Sequence, residues 1–231
     1  MANKKTRGLL GLCATIGFSV QLAGCGNLNS YLADKSETVE MYHVFDLKTS
    51  ADVETISSAA AKGLSENTNR VQENRPLMMD SSVPDMPGRF KLVDMAAAFA
   101  GSGMSPLLQL ASNQAGGTTL RIAKCDGAVW TSHATRTISG YNNLNLYSCI
   151  YRYKQGYQLD LYAVFQKRSG GLNGVATGLS DQLVGTPEQW VNKTILDTVK
   201  AMQSATSANV TYIEGQPKIQ GLPWVDKYVS Y

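Results

Sequence analysis

The stretch Thr118 to Lys167, TTLRIAKCDGAVWTSHATRTISGYNNLNLYSCIYRYKQGYQLDLYAVFQK, decides the fold class. It holds four strand-length runs, Thr118–Cys125, Ala128–Ile138, Asn143–Lys154 and Tyr157–Lys167. The turn residues Asp126-Gly127, Ser139-Gly140 and Gln155-Gly156 separate them, which is the pattern of a meander of antiparallel hairpins. In the last hairpin the alternation predicts that Tyr151, Tyr153, Tyr157, Leu159, Leu161, Ala163 and Phe165 share one face. Arg152 and Lys154 alternate with the first two tyrosines, so the rings are expected to pack under helices while the charges face solvent.

Outward from this meander, each end of the chain supplies a helix. Thr38–Lys48 is β-branched and aromatic enough to be a strand, and Thr49-Ser50-Ala51-Asp52 follows it with a hydroxyl residue to cap a helix. Val53, Ile56, Ala60 and Leu64 form an apolar stripe on that helix, expected near 50–66, and Arg70–Leu77 reads as a second strand. After the glycine-rich break at 169–174, Thr186-Pro187-Glu188-Gln189 is a capping box with proline at the first helical position. It opens a helix near 187–205 with Val191, Ile195, Val199 and Met202 on its apolar face, and Asn209–Glu214 reads as a closing strand. The prediction is an α+β fold: a mostly antiparallel sheet with two main helices packed on one face, forming a single domain over 39–231. Residues 76–116 differ in character, with prolines, methionines and a Gly101-Ser102-Gly103 string. They are expected to be a short helical insertion with helices over Phe90–Ala100 and Pro106–Gln114.

Charge excludes one class of function. The formal charge of the 231 residues is +3, but Lys4, Lys5 and Arg7 are the only charges before Asp34, so the rest of the chain is neutral. Within it, residues 118–168 hold seven bases against two acids, and residues 25–117 hold eleven acids against seven bases. Nothing in this distribution calls for a nucleic-acid partner.

The basic stretch is followed by a charge-free apolar run, Gly8–Val20, and then by Leu22-Ala23-Gly24-Cys25. This is secretory signal architecture, and the run is too short for the roughly 20 residues of a membrane-spanning helix. Leu22-Ala23-Gly24-Cys25 resembles the lipobox of bacterial lipoproteins. The resemblance implies that residues 1–24 are a removed signal peptide and that Cys25 becomes an acylated N-terminus carrying palmitate-type chains. It implies a mature chain of 207 residues, once the first 24 of 231 are removed. In the enterobacterial pattern an Asp after the cysteine retains a lipoprotein in the inner membrane; Gly26 stands there, which implies an outer-membrane location with the domain facing the periplasm or the cell surface. Residues 25–38 read as a flexible tether. Of four cysteines, only Cys125 and Cys149 remain in the domain, and in an oxidising periplasm they are expected to form a disulfide.

Catalytic signals are thin. His43 and His133 are the only histidines; each lies mid-strand and is expected to be half-buried, without metal-ligand spacing or a nucleophile elbow. Gly101-Ser102-Gly103-Met104-Ser105-Pro106 lacks the lysine of a phosphate loop, and Asp80, Asp85 and Asp94 do not match a calcium loop. No cofactor or metal is called for. The expectation is a non-catalytic, lipid-anchored envelope protein, an accessory or docking subunit of an outer-membrane or secretion assembly with envelope proteins as partners. The alternative is a ligand-, sugar- or peptidoglycan-binding lipoprotein using a tyrosine-rich face, Tyr141, Tyr147, Tyr151, Tyr153, Tyr157 and Tyr162, because six of eleven tyrosines fall there. A third class, a hydrolase, requires one histidine in a pocket beside a carboxylate or hydroxyl.

Overall fold

The computed structural model describes residues 35–76, 82–98, 121–138, 142–169 and 186–219. In chain order these form β1 (Lys35–Lys48), α1 (Val53–Ser65), β2 (Arg70–Asn74), β3 (Lys91–Asp94), a single turn α2 (Met95–Ala98) and β4 (Arg121–Lys124). There follow β5 (Trp130–Ile138), β6 (Asn142–Tyr153), β7 (Gly156–Ser169), α3 (Pro187–Thr206) and β8 (Asn209–Gln216). Six strands make one sheet in the order β2-β5-β6-β7-β1-β8, and β3 pairs with β4 in a second sheet. Every pairing is antiparallel, so the fold is α+β with a mostly antiparallel sheet and two long helices.

Both helices begin where the side chains can satisfy free backbone amides. At α3 the Thr186 hydroxyl accepts from Gln189 N at 3.2 Å while the Gln189 side chain accepts from Thr186 N at 3.0 Å, the reciprocal capping box. At α1 the cap is a carboxylate and not the expected hydroxyl: Asp52 Oδ1 accepts from Thr55 N at 2.8 Å. The Thr49 hydroxyl instead donates to Thr206 O at 3.1 Å, joining the start of α1 to the end of α3.

One core cluster joins α1, α3 and one face of the large sheet. It contains Ile56, Ala60 and Leu64 of α1, Val191, Ile195, Val199 and Met202 of α3, and Phe45, Leu47, Leu146, Ile150, Leu159, Leu161 and Phe165 from the strands. Gly63 sets how closely the helices approach, since a Cβ there would lie 2.5 Å from Thr198 Cα. Thr194 and Thr198 are fully buried on α3, and each hydroxyl donates to the carbonyl four residues earlier, at 2.9 and 2.7 Å.

Four expectations need correction. β1 opens at Lys35, so the end of the expected tether, Lys35 to Thr38, pairs with β7 opposite Ser169 to Gln166. Lys91–Asp94, expected within a helix, is a strand because it finds a partner in Arg121–Lys124, and only Met95–Ala98 of that stretch is helical. The run 118–125 therefore leaves the meander: β4 pairs with β3, and the β5-β6-β7 hairpins stand without it. The tyrosines also divide differently. The β6–β7 turn pairs Tyr153 with Gly156, so Arg152 faces Tyr157 and Tyr151 faces Gln158 across the strands. Paired residues share a face, and a two-residue loop therefore puts Tyr151 and Tyr153 on the opposite side from Tyr157, Leu159 and Leu161. The second expected helix, Pro106–Gln114, lies outside the described residues.

Candidate site on the second face of the sheet

At β7 the sheet is buried on both sides. Gln158, Asp160, Tyr162 and Val164 alternate with the core residues of β7, point away from the helices, and are 6% exposed or less. Residues 84–90 and the small sheet cover them, and each attachment is identifiable. Lys154 N donates to Pro84 O at 3.0 Å, and Gln158 Nε2 donates to Gly88 O at 3.0 Å. A Cβ on Gly88 would meet the Tyr151 ring at 2.6 Å, so the backbone lies flat on that ring.

Asp160 is the polar centre of this cover. Its carboxylate is fully buried and accepts from Phe90 N at 3.0 Å and Gln158 Nε2 at 2.8 Å, with Arg89 Nε at 3.6 Å. Burial raises its pKa, and the three donors oppose that rise. The small sheet is held at both ends. Arg121 makes a bidentate pair with Glu40 of β1, its Nε 2.9 Å from Oε1, which lowers the carboxylate's pKa. At the other end a disulfide joins Cys125, just after β4, to Cys149 of β6, with Cα atoms 5.8 Å apart.

Between these anchors runs an aromatic row. Register places Tyr42, Tyr162, Tyr147, His133 and Gln72 side by side on β1, β7, β6, β5 and β2. Ring centroids are 6.1 Å apart for Tyr147 and Tyr162 and 4.6 Å for His133 and Tyr147, the latter pair within 5° of parallel. Phe90 lies over the row, 6.2 Å from both Tyr42 and Tyr162. Burial and the Glu40 carboxylate push the Tyr162 phenol well above its ordinary range. Where the row stops, a cavity of about 900 Å³ opens, lined by Gln72, Asn74, His133 and Tyr147 on the sheet side and by Val93, Ala97 and Ile122 on the cover side.

The expected site residues are dispersed by this arrangement. Tyr151, Tyr153, Tyr157 and Tyr162 are buried, Tyr147 is half-buried, and Tyr141 lies outside the described residues. Among those described, Tyr147 alone of the six lines the cavity. Tyr157 Oη donates to Ala51 O at 2.8 Å and Tyr153 Oη to Asp46 Oδ1 at 2.6 Å, so these hydroxyls serve the fold. His43 is completely buried, not half-buried, with Nδ1 3.1 Å from Tyr212 Oη and no partner for Nε2 among the described residues. Burial lowers its pKa to about 4, so the ring is neutral at physiological pH. His133 is half-buried as expected; its Nε2 lies 2.9 Å from Asn145 Oδ1, a neutral amide that orients the ring. Among the described residues neither histidine is hydrogen-bonded to a carboxylate, and the hydroxyl that meets His43, Tyr212 Oη, does so in the buried interior and not in the cavity.

The other expected positions separate plainly. Asp85 pairs with Lys154 and is exposed, and Asp94 lies opposite Arg121 in the small sheet. Cys25, Asp80 and the 101–106 string lie outside the described residues. Among the described residues no cluster of three His, Cys, Asp or Glu could hold a metal ion, and no helix is long and apolar enough to cross a membrane. Four of the seven bases of 118–168 are engaged at separate places: Arg121 meets Glu40, Lys154 meets Asp85, Lys167 meets Glu188 at 2.9 Å, and Arg136 sits 4.4 Å over the Trp190 ring.

Sequence reading missed Asp160, Gln158 and the 84–90 cover. The signal was present in Tyr157-Gln158-Leu159-Asp160-Leu161-Tyr162, where an amide and a lone acid alternate with apolar and aromatic residues. An acid in that setting is either on a solvated face or buried with donors, and only the cover decides. No protein-family model matches the chain, and no curated protein matches it at a significant level.

Proposed function

We propose that this chain is a lipid-anchored envelope protein, held in the outer membrane through Cys25, whose α+β domain acts by non-catalytic docking as an accessory subunit. The observation that carries the reading is the order of its first 25 residues: bases at Lys4 to Arg7, an apolar run at Gly8–Val20 and the lipobox-like Leu22-Ala23-Gly24-Cys25. The Cys125–Cys149 disulfide supports export, since such bonds persist in oxidising compartments. A chain anchored by acyl groups needs no membrane-spanning helix, and more than one chain gives stable attachment. Burial of four of the candidate tyrosines favours docking over a tyrosine-rich binding face.

Palmitate labelling tests the anchor. Wild type is expected to incorporate label and Cys25→Ala is not; equal labelling of the two overturns the reading. Docking is tested by crosslinking in intact cells followed by affinity capture from the membrane fraction. A stoichiometric envelope partner is expected, and recovery of the protein alone contradicts an accessory role.

A further inference from the structure

The aromatic row and the cavity at its end carry an inference that rests on neither the anchor nor the docking role. Across the sheet, Tyr162, Tyr147 and His133 stand in one row: Tyr162 lies 6.1 Å from Tyr147, and Tyr147 and His133 stack nearly parallel at 4.6 Å. The stack ends at His133, because the next residue in register is Gln72, which has an amide and no ring. The cavity of about 900 Å³ begins there, in the size range of small-molecule sites and larger than one sugar ring needs.

Its walls differ in chemistry. On the sheet side Gln72 and Asn74 each present an amide with both a donor and an acceptor, and Tyr147 adds a phenol. On the cover side Val93 and Ile122, paired in the small sheet, present aliphatic surface. Among the described residues of the rim, Lys124 Nζ is 3.2 Å from Asp126 Oδ1, and the Glu73 carboxylate is turned to the Trp130 indole, accepting from its Nε1 at 2.9 Å. An anionic ligand would therefore meet no unpaired lysine or arginine among the described residues of the lining. A neutral ligand with apolar faces and hydrogen-bonding edges matches both walls.

We infer that this cavity binds a neutral saccharide, with the C–H face of a sugar ring continuing the stack on His133 and its hydroxyls meeting the amides of Gln72 and Asn74. A flat aromatic ligand would be better served by a second ring on the cover side, where Val93 and Ile122 stand, and a lipid chain would leave the amides without partners.

Ligand-observed NMR titration of the full-length protein in detergent tests the inference. The probes are N,N′-diacetylchitobiose and cellobiose, with adenosine as the flat aromatic and decanoate as the lipid chain. At least one saccharide is expected to bind, and Gln72→Ala or His133→Ala is expected to weaken it about ten-fold at unchanged thermal midpoint. Gln72 is exposed on the outermost strand, so its variant keeps the test open if His133→Ala fails to fold. Ala97→Trp, which fills the cavity from the cover side, is expected to abolish binding. Binding of adenosine or decanoate with no saccharide overturns the ligand class. No binding of any probe, or saccharide binding that ignores all three variants, overturns the site.

Discussion

Gly63→Ala sets two known effects against each other, and the structure decides the sign. In an exposed helix interior the change stabilises by about 1 kcal/mol, because alanine loses less backbone freedom. Gly63 is not exposed: it is buried where α1 crosses α3, and a Cβ would lie 2.5 Å from Thr198 Cα, 3.1 Å from Asp197 O and 3.1 Å from Ala201 Cβ. Two of these are backbone atoms, which cannot rotate away. Carbon atoms in contact prefer about 3.5–4.0 Å, so α3 must retreat by roughly 1 Å. It is fixed by Val191, Ile195, Val199 and Met202, all fully buried, and a gap of that size forfeits about a quarter to a half of each contact's attraction. Overpacking of this kind costs about 1–3 kcal/mol, and the two backbone clashes place the site at or above the upper end. Net of the helix gain, destabilisation of about 2 kcal/mol is expected, which lowers the thermal midpoint by roughly 4–8 °C for a domain of this size. Guanidinium unfolding followed by far-ultraviolet circular dichroism measures it, with Ser58→Ala on the exposed side of α1 expected to stay within about 0.5 kcal/mol. A Gly63→Ala protein as stable as wild type, or more stable, would refute the close crossing and with it the packing of the helix layer.

Three further outcomes follow from the second face and the core. Asp160→Ala leaves Phe90 N without its acceptor and the Gln158 amide with Gly88 O alone, so a loss of about 3 kcal/mol is expected, with faster tryptic cleavage at Arg89; unchanged cleavage would show that Asp160 does not hold the cover. Reducing Cys125–Cys149, whose positions are 24 residues apart, is expected to lower unfolding free energy by about 3 kcal/mol, with β3 and β4 exchanging amide protons first; equal stability in reductant contradicts the assignment. His43 has a folded pKa of about 4 against an ordinary value near 6.5, so below pH 6.5 the unfolded chain takes up a proton that the native chain refuses. Stability contributed by neutral His43 is therefore complete above pH 6.5 and lost as pH falls towards 4, amounting to about 2.5 kcal/mol at pH 4.5. The raised pKa of Asp160 acts in the opposite direction, so the comparison is between wild type and His43→Gln at pH 7 and pH 4.5; parallel losses in both proteins would remove His43 as the cause.

What was legible in the sequence is what local chemistry determines. The capping box at Thr186, Pro187 and Gln189 gave the start of α3, and the apolar stripes gave the buried faces of both helices, because helix signals lie within a few residues of each other. The β5, β6 and β7 runs were legible for the same reason. Gly156 marks their last turn: it has φ +149, and a Cβ there would meet Leu47 O at 2.2 Å. Face assignment failed across that turn because it depends on loop parity. One residue more or less between β6 and β7 exchanges the sides of Tyr151 and Tyr153, and the sequence shows only that a turn exists. Lys91–Asp94 failed for a different reason, since its four residues become a strand only through pairing with a segment about thirty residues away. The site was hidden at the same level. Gln72, His133 and Tyr147 come from three strands and meet through register, and Asp160 acquires its partners only when residues 84–90 fold over β7.

Attachment through Cys25 is tested most directly by mass spectrometry of the protein extracted from the membrane fraction of cells that express the full chain. The account predicts an N-terminal peptide that begins at Cys25 and carries a diacylglyceryl group on the thiol. A peptide that runs through Ala23-Gly24-Cys25 with the thiol unmodified, or a mature chain that begins at another residue, would contradict it.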